Sequence, residues 1–263
     1  MFVSYHGVCY LKIARSEPLV LPDGSLRGCA LMQSAAIDFS RQPIAFTHIP
    51  KTAGTTVSTA LEAAFPNRNL FQLQQLEPEA LRHRLADRSI HAYCGHLRYL
   101  QLSAAFGDSG RQPLYIAVLR EPIERILSAY SYAKDTPAAK RWHGLAAAHD
   151  INGFISVVAE NHRHFLVGMQ CRFVGAVRGA DADQALASLR ANYAVIGLQS
   201  DLEGFFRRLE ARLEIALPRQ APLNQSRSRI KRDSLNKKSL RILERTTRED
   251  RRLYELVVEW LGK

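Results

Sequence analysis

Two short apolar runs, residues 44–49 and 114–119, each lead into a segment patterned as a helix, the first through a Gly-containing loop and the second directly, and this constrains the fold most. After the first run, Val57, Leu61, Ala64 and Phe65 share one helical face. After the second, the apolar stripe is Ile123, Ile126, Leu127 and Tyr130. Short runs with little polar alternation suit strands covered on both faces. Residues 90–94 and 193–198 read as further strands. Helical patterns cover 76–85, 152–166 and 183–192, and recur in Leu202, Phe205, Phe206, Leu209 and Leu213. Strands alternating with helices predict an α/β fold: one domain, with a central, mainly parallel sheet flanked by helices.

No internal repeat or linker divides this pattern, so the domain is expected over residues 43–263. Residues 1–42 read as an irregular or hairpin extension, with a turn at 19–26. Residues 218–238 form a basic, Ser- and Asn-containing loop in this reading. A capping box, Thr246-x-x-Glu249, is expected to open the last helix before Leu253, Leu256, Val257 and Trp260.

No apolar run approaches the ~18 residues that a membrane helix needs. Ser4, His6 and Lys12 interrupt the first segment, and it lacks the pattern of a signal peptide, so a cytoplasmic protein is expected. Cys9, Cys29, Cys94 and Cys171 show neither C-x-x-C nor zinc-ligand spacing and read as reduced thiols. The formal net charge is +11, and residues 207–263 hold 16 Lys and Arg against 8 Asp and Glu. Such a balance implies an anionic partner without choosing among nucleotide, acidic glycan, nucleic acid and membrane surface.

The segment Ile49-Pro50-Lys51-Thr52-Ala53-Gly54-Thr55-Thr56 narrows that choice. It follows a strand and opens a helix, where free backbone N–H groups face an anion. Gly54 allows close backbone approach or a positive φ. Thr52, Thr55 and Thr56 offer hydroxyls, and Lys51 offers a mobile charge. Lys51 precedes the only glycine, so this is not a Walker A loop, which places Lys after its second glycine. A second anchor lies in Leu119-Arg120-Glu121-Pro122, with Arg120 at a strand end, Pro122 in the first helical turn and Ser128 two turns on. Arg120 and Ser128 can grip one phosphate together.

Both motifs, in this order, resemble the two phosphate-binding motifs of sulfotransferases that use 3'-phosphoadenosine-5'-phosphosulfate (PAPS). The branch resembled contains heparan sulfate 2-O-sulfotransferase and its bacterial relatives. The resemblance runs from about residue 44 to the C-terminus and implies the P-loop-like sulfotransferase fold. It implies that Lys51, Thr52, Ala53, Gly54, Thr55 and Thr56 hold the 5'-phosphosulfate, and that Arg120 and Ser128 hold the 3'-phosphate. Arg125 also matches the pattern, with a surface or salt-bridge role equally open. A late basic loop closes over the nucleotide in related enzymes, which makes Arg227, Arg229 and Lys231 candidates. The same residues could meet an anionic acceptor or form a solvated face.

Sulfuryl transfer to a hydroxyl needs a proton acceptor, and histidine suits neutral pH. His96 follows the strand at 90–94 and so stands at the same sheet edge as the loop. The resembled branch carries its base in a Gly-His pair here, and has a further His where this chain has Cys94. That departure puts the acceptor class in question. His48 reads as a residue that packs or bonds the backbone beside the loop, and His143 and His149 as loop residues. His162 and His164 lack partners at metal-ligand spacing, so no metal is expected.

The expectation is therefore a PAPS-dependent, metal-independent sulfotransferase, with His96 and Lys51 as catalytic groups and PAP as product. Its acceptor would be a hydroxyl compound, favouring a carbohydrate and including an anionic glycan, with lipid, metabolite and tyrosine open. No nucleic acid partner is expected. A phosphotransferase or NTPase-like enzyme and a non-enzymatic polyanion binder are the competing readings.

Overall fold

The computed structural model describes residues 37–65, 70–73, 78–218 and 230–262. The expected turn at 19–26 lies outside them. Five strands form one sheet: β1 (Ile44–Thr47), β2 (Leu70–Leu73), β3 (Ala92–Gly95), β4 (Leu114–Leu119) and β5 (Tyr193–Leu198). The order is β2-β3-β1-β4-β5, and every pairing is parallel. β2 and the helix at 99–107 escaped the sequence reading because neither carries a clean period.

The helices are α1 (Gly54–Ala64), α2 (Pro78–Ala86), α3 (Tyr99–Gly107), α4 (Pro122–Asp135), α5 (Arg141–Ala148) and α6 (Ile151–Asn161). They continue with α7 (Met169–Val174), α8 (Ala182–Asn192), α9 (Leu202–Leu213), α10 (Lys237–Thr246) and α11 (Arg248–Trp260). Successive residues of β4 enter opposite cores. Ile116 and Val118 pack with α1 and α9, whereas Tyr115, Ala117 and Leu119 pack with residues of α3, α7 and α8. Burial on both faces explains why this strand reads as an unbroken apolar run. A third core joins α4, α5 and α6 to Leu243 of α10.

β1 has β3 on one side and β4 on the other. The strand order therefore reverses at β1, and parallel α/β sheets bind ligands outside the carboxyl ends at such a point. The segments after β1, β3 and β4 all emerge there. Residues 37–42 are tied to the domain through the buried Arg111, whose guanidinium donates to the carbonyls of Ser40 at 2.9 Å and Phe39 at 3.1 Å.

Two local expectations change. Thr246 does not cap α11: its hydroxyl donates back to the Ile242 carbonyl at 2.8 Å, as a hydroxyl in a last helical turn readily does. Lys237 and Lys238 are not in a loop, because the Asn236 side chain accepts from Ser239 N at 2.8 Å and starts α10 before them. Cys94 and Cys171 are buried free thiols, and Cys9 and Cys29 lie outside the described residues.

Candidate active site

The loop between β1 and α1 holds its shape through two non-glycine residues in the left-handed region, Lys51 with φ 71° and Ala53 with φ 68°. Each such residue costs about 1–2 kcal/mol, which the surrounding contacts must offset. Gly54 is needed for a different reason. A Cβ there would lie 1.6 Å from His48 Nε2, so the His48 ring occupies that space. Close approach, rather than positive φ, is what the glycine provides. Thr52 is fully buried, and its hydroxyl donates to the Ile49 carbonyl at 2.9 Å. That hydroxyl closes the loop, while Thr55 and Thr56 face the cavity described below.

β4 delivers the second anchor. The Glu121 side chain accepts from Glu124 N at 2.7 Å and Pro122 occupies the first turn, so the chain passes from strand to helix within two residues. Arg120 lies between them, and its side chain is 15% exposed. Its guanidinium donates to the Lys51 carbonyl at 3.3 Å, joining the two anchors, and lies 3.8 Å from the Glu124 carboxylate. Arg125 is not at the surface. It is fully buried, donates to the Phe165 carbonyl at 3.1 Å, and makes no ion pair among the described residues. Burial pulls its pKa down to about 10, against the pull of Asp250.

His96 is exposed at the end of β3, with Nδ1 2.8 Å from the His48 carbonyl oxygen. A carbonyl only accepts, so this contact puts the proton on Nδ1 and leaves the Nε2 lone pair open. The His48 ring stacks on Phe46 at 5.4 Å and meets the His96 ring at 4.3 Å. The sequence reading has His48 packing or bonding the backbone beside the loop. It also holds His96 and stands in the cavity wall.

Burial, then His96 and Lys51, push the His48 pKa from 6.5 to about 3. Between those values the unfolded chain carries a proton that the folded chain does not. Stability therefore falls as pH drops through that window, by at most about 1.4 kcal/mol per pH unit. His48→Gln is expected to flatten this slope in urea unfolding measured from pH 4 to 7. A wild-type slope in the variant would assign the acid sensitivity to other groups.

Lys51 Nζ lies 3.8 Å over the Tyr132 ring centroid. Burial, then the charge of Arg120, lower its pKa to about 8. Tyr132 was missed; its one signal is its place one helical turn after Ser128.

These groups share one cavity of about 890 Å³. Lys51, Ala53, Gly54, Thr55, Thr56, His96, Arg120 and Ser128 all line it, and Trp142, Phe154 and Phe165 form an apolar end. The four other histidines named from sequence do not line it. Lys231 is exposed and outside this wall, although its neighbour Ile230 lines the cavity and donates from its backbone N–H to Ser131 Oγ at 3.2 Å. Arg227 and Arg229 lie outside the described residues. No cluster of metal-ligating side chains occurs among the described residues. Among them, too, no helix is long and apolar enough to cross a membrane.

Fold and site together define a parallel α/β domain with a cavity at the carboxyl ends of β1, β3 and β4, lined by the β1–α1 loop, Arg120 and His96. Residues 35–163 match the model of the Sulfotransferase family. The chain is 34% identical over 140 residues to heparan sulfate 2-O-sulfotransferase 1 of Mus musculus, a match covering 48% of this chain and 37% of that protein. The counterpart in Cricetulus griseus matches with the same identity and coverage. The match thus spans little more than a third of the curated relatives' length. A crystal structure of mouse sulfotransferase SULT7A1 complexed with PAP aligns over 85% of each chain, with 15% identity and a TM-score of 0.42. The sulfotransferase resemblance read from the two motifs is therefore found again in the comparisons of sequence.

Proposed function

We propose that this protein is a sulfotransferase that uses PAPS and sulfates an acceptor hydroxyl, in keeping with the carbohydrate-sulfating relatives named above. One observation carries the reading: the β1–α1 loop, the Arg120 and Ser128 pair, and a histidine with Nε2 open line the same cavity. PAPS supplies the sulfuryl group when bound. The residues fit it: the loop backbone and the Thr55 and Thr56 hydroxyls serve its 5' end, Arg120 and Ser128 its 3'-phosphate, and the volume admits a nucleotide. The apolar end with Trp142 and Phe165, whose rings lie 4.7 Å apart, offers stacking surface for a base.

In this mechanism His96 Nε2 takes the acceptor hydroxyl proton, and Nδ1 keeps its bond to the His48 carbonyl. Lys51 and the N–H groups at the start of α1 neutralise charge that develops on the leaving oxygen. Both are set before reaction, one by Tyr132 and the helix entry, the other by the strained loop. Lys231, which is exposed, remains a candidate for contact with nucleotide or an anionic acceptor, and Arg227 and Arg229 remain candidates from the sequence resemblance alone.

Thermal unfolding with PAP tests the reading, with ADP and Mg-ATP as controls. A ligand at ~100 times its Kd stabilises the fold by ~2.7 kcal/mol. The expected result is a clear shift with PAP, little with ADP, and loss of the PAP shift in Arg120→Ala. No shift with PAP, or an equal one with Mg-ATP, would reject it in favour of a phosphotransferase or a plain polyanion binder.

A further inference from the structure

Arg120 stands one residue beyond β4, where the sheet no longer pairs its backbone. Gln170 takes over that task. Its Oε1 accepts from Arg120 N at 3.0 Å, and its Nε2 donates to the Arg120 carbonyl at 2.8 Å. A primary amide that meets the N–H and C=O of one residue does what a neighbouring strand would do. The ladder is thereby prolonged to the residue that carries the guanidinium.

Gln170 is itself fixed. It is fully buried and sits in the first turn of α7. The buried carboxylate of Asp250, from α11, accepts from the next backbone N–H, that of Cys171, at 3.0 Å. No motif reading selects Gln170, which lies 50 residues from Arg120.

We propose that Gln170 is the positioning residue of the 3'-phosphate subsite, aiming Arg120 into the cavity without touching the ligand. The proposal rests on the sulfotransferase reading above. It predicts a selective defect. Gln170→Leu keeps the volume but can make neither bond, and Gln170→Asn keeps the amide but falls one methylene short. Each is expected to weaken PAP binding about ten-fold, because a misaimed guanidinium loses a charge-assisted pair. Each should leave 5'-AMP, which lacks the 3'-phosphate, within about two-fold of wild type.

Calorimetric titration of both nucleotides against wild type, Gln170→Leu and Gln170→Asn reads this ratio. An equal loss for PAP and AMP, which would make Gln170 a purely structural residue, or no loss for either in a folded variant, would overturn the proposal. A wild-type protein that fails to prefer PAP over AMP would instead sink the underlying assignment of Arg120. Amide hydrogen exchange in the unsubstituted protein adds a test independent of variant folding. The Arg120 N–H is expected to be protected like the amides of β4, and fast exchange there would exclude the clamp.

Discussion

His96→Ala is expected to lower turnover by ~10²–10⁴-fold, the range typical for a lost general base. PAP should still stabilise the variant, because His96 belongs to the acceptor side of the site and holds no phosphate in the proposed arrangement. The size of the effect follows from the hydrogen bond that sets the tautomer. With Nδ1 donating to the His48 carbonyl at 2.8 Å, Nε2 is the atom that can take a proton. His96→Asn separates base from spacer, since its amide can still donate to that carbonyl but cannot accept a proton at neutral pH. Both variants should be equally slow. Turnover within ten-fold of wild type in either one would remove His96 from the mechanism.

Lys51→Ala is expected to cost ~10²–10³-fold in kcat, comparable with removing one preorganised electrostatic group. The effect should carry a pH signature. The Lys51 pKa lies at about 8 in the free protein. Raising the pH through that value removes the cation, so PAP affinity should fall above about pH 8 in wild type. Lys51→Arg keeps its charge in that range, so its affinity should not fall there. Its turnover should stay low, because a planar fork does not reproduce a compact ammonium held over the Tyr132 ring. A flat wild-type profile between pH 7 and 9 would show that Lys51 is not the titrating contact. These two variants address opposite ends of the transferred group, so their effects distinguish acceptor activation from leaving-group stabilisation.

Local patterning made much of the scaffold legible. β4 and β5 follow the boundaries expected from their buried runs, because both faces are covered and no polar alternation obscures them. The helix after the loop was legible because Val57 and Leu61 recur at helical spacing. The start of the last helix was read at Thr246 and α11 begins at Arg248, but the absence of a side-chain cap was not legible, since the hydroxyls of Thr246 and Thr247 turn back into the preceding helix. The loop at 218–238 read as continuous because its charge masks the Asn236 cap.

The sequence by itself determined which residues follow strands and open helices, and hence that the β1–α1 loop, Arg120 and His96 stand at one sheet edge. Those are properties of neighbours along the chain: a short apolar run, a glycine, a proline in a first turn. Only the tertiary structure decided that β1 lies between β3 and β4, which converges the three segments on one cavity. It also decided that Thr52 turns inward, that Arg125 is interior, and that His48, Tyr132 and Gln170 support the three charged or basic groups. Partners such as His48 and His96, or Gln170 and Arg120, are about fifty positions apart and share no period. A hydrogen bond across that separation depends on the strand order and packing that bring its two groups together, and neither is written in local spacing.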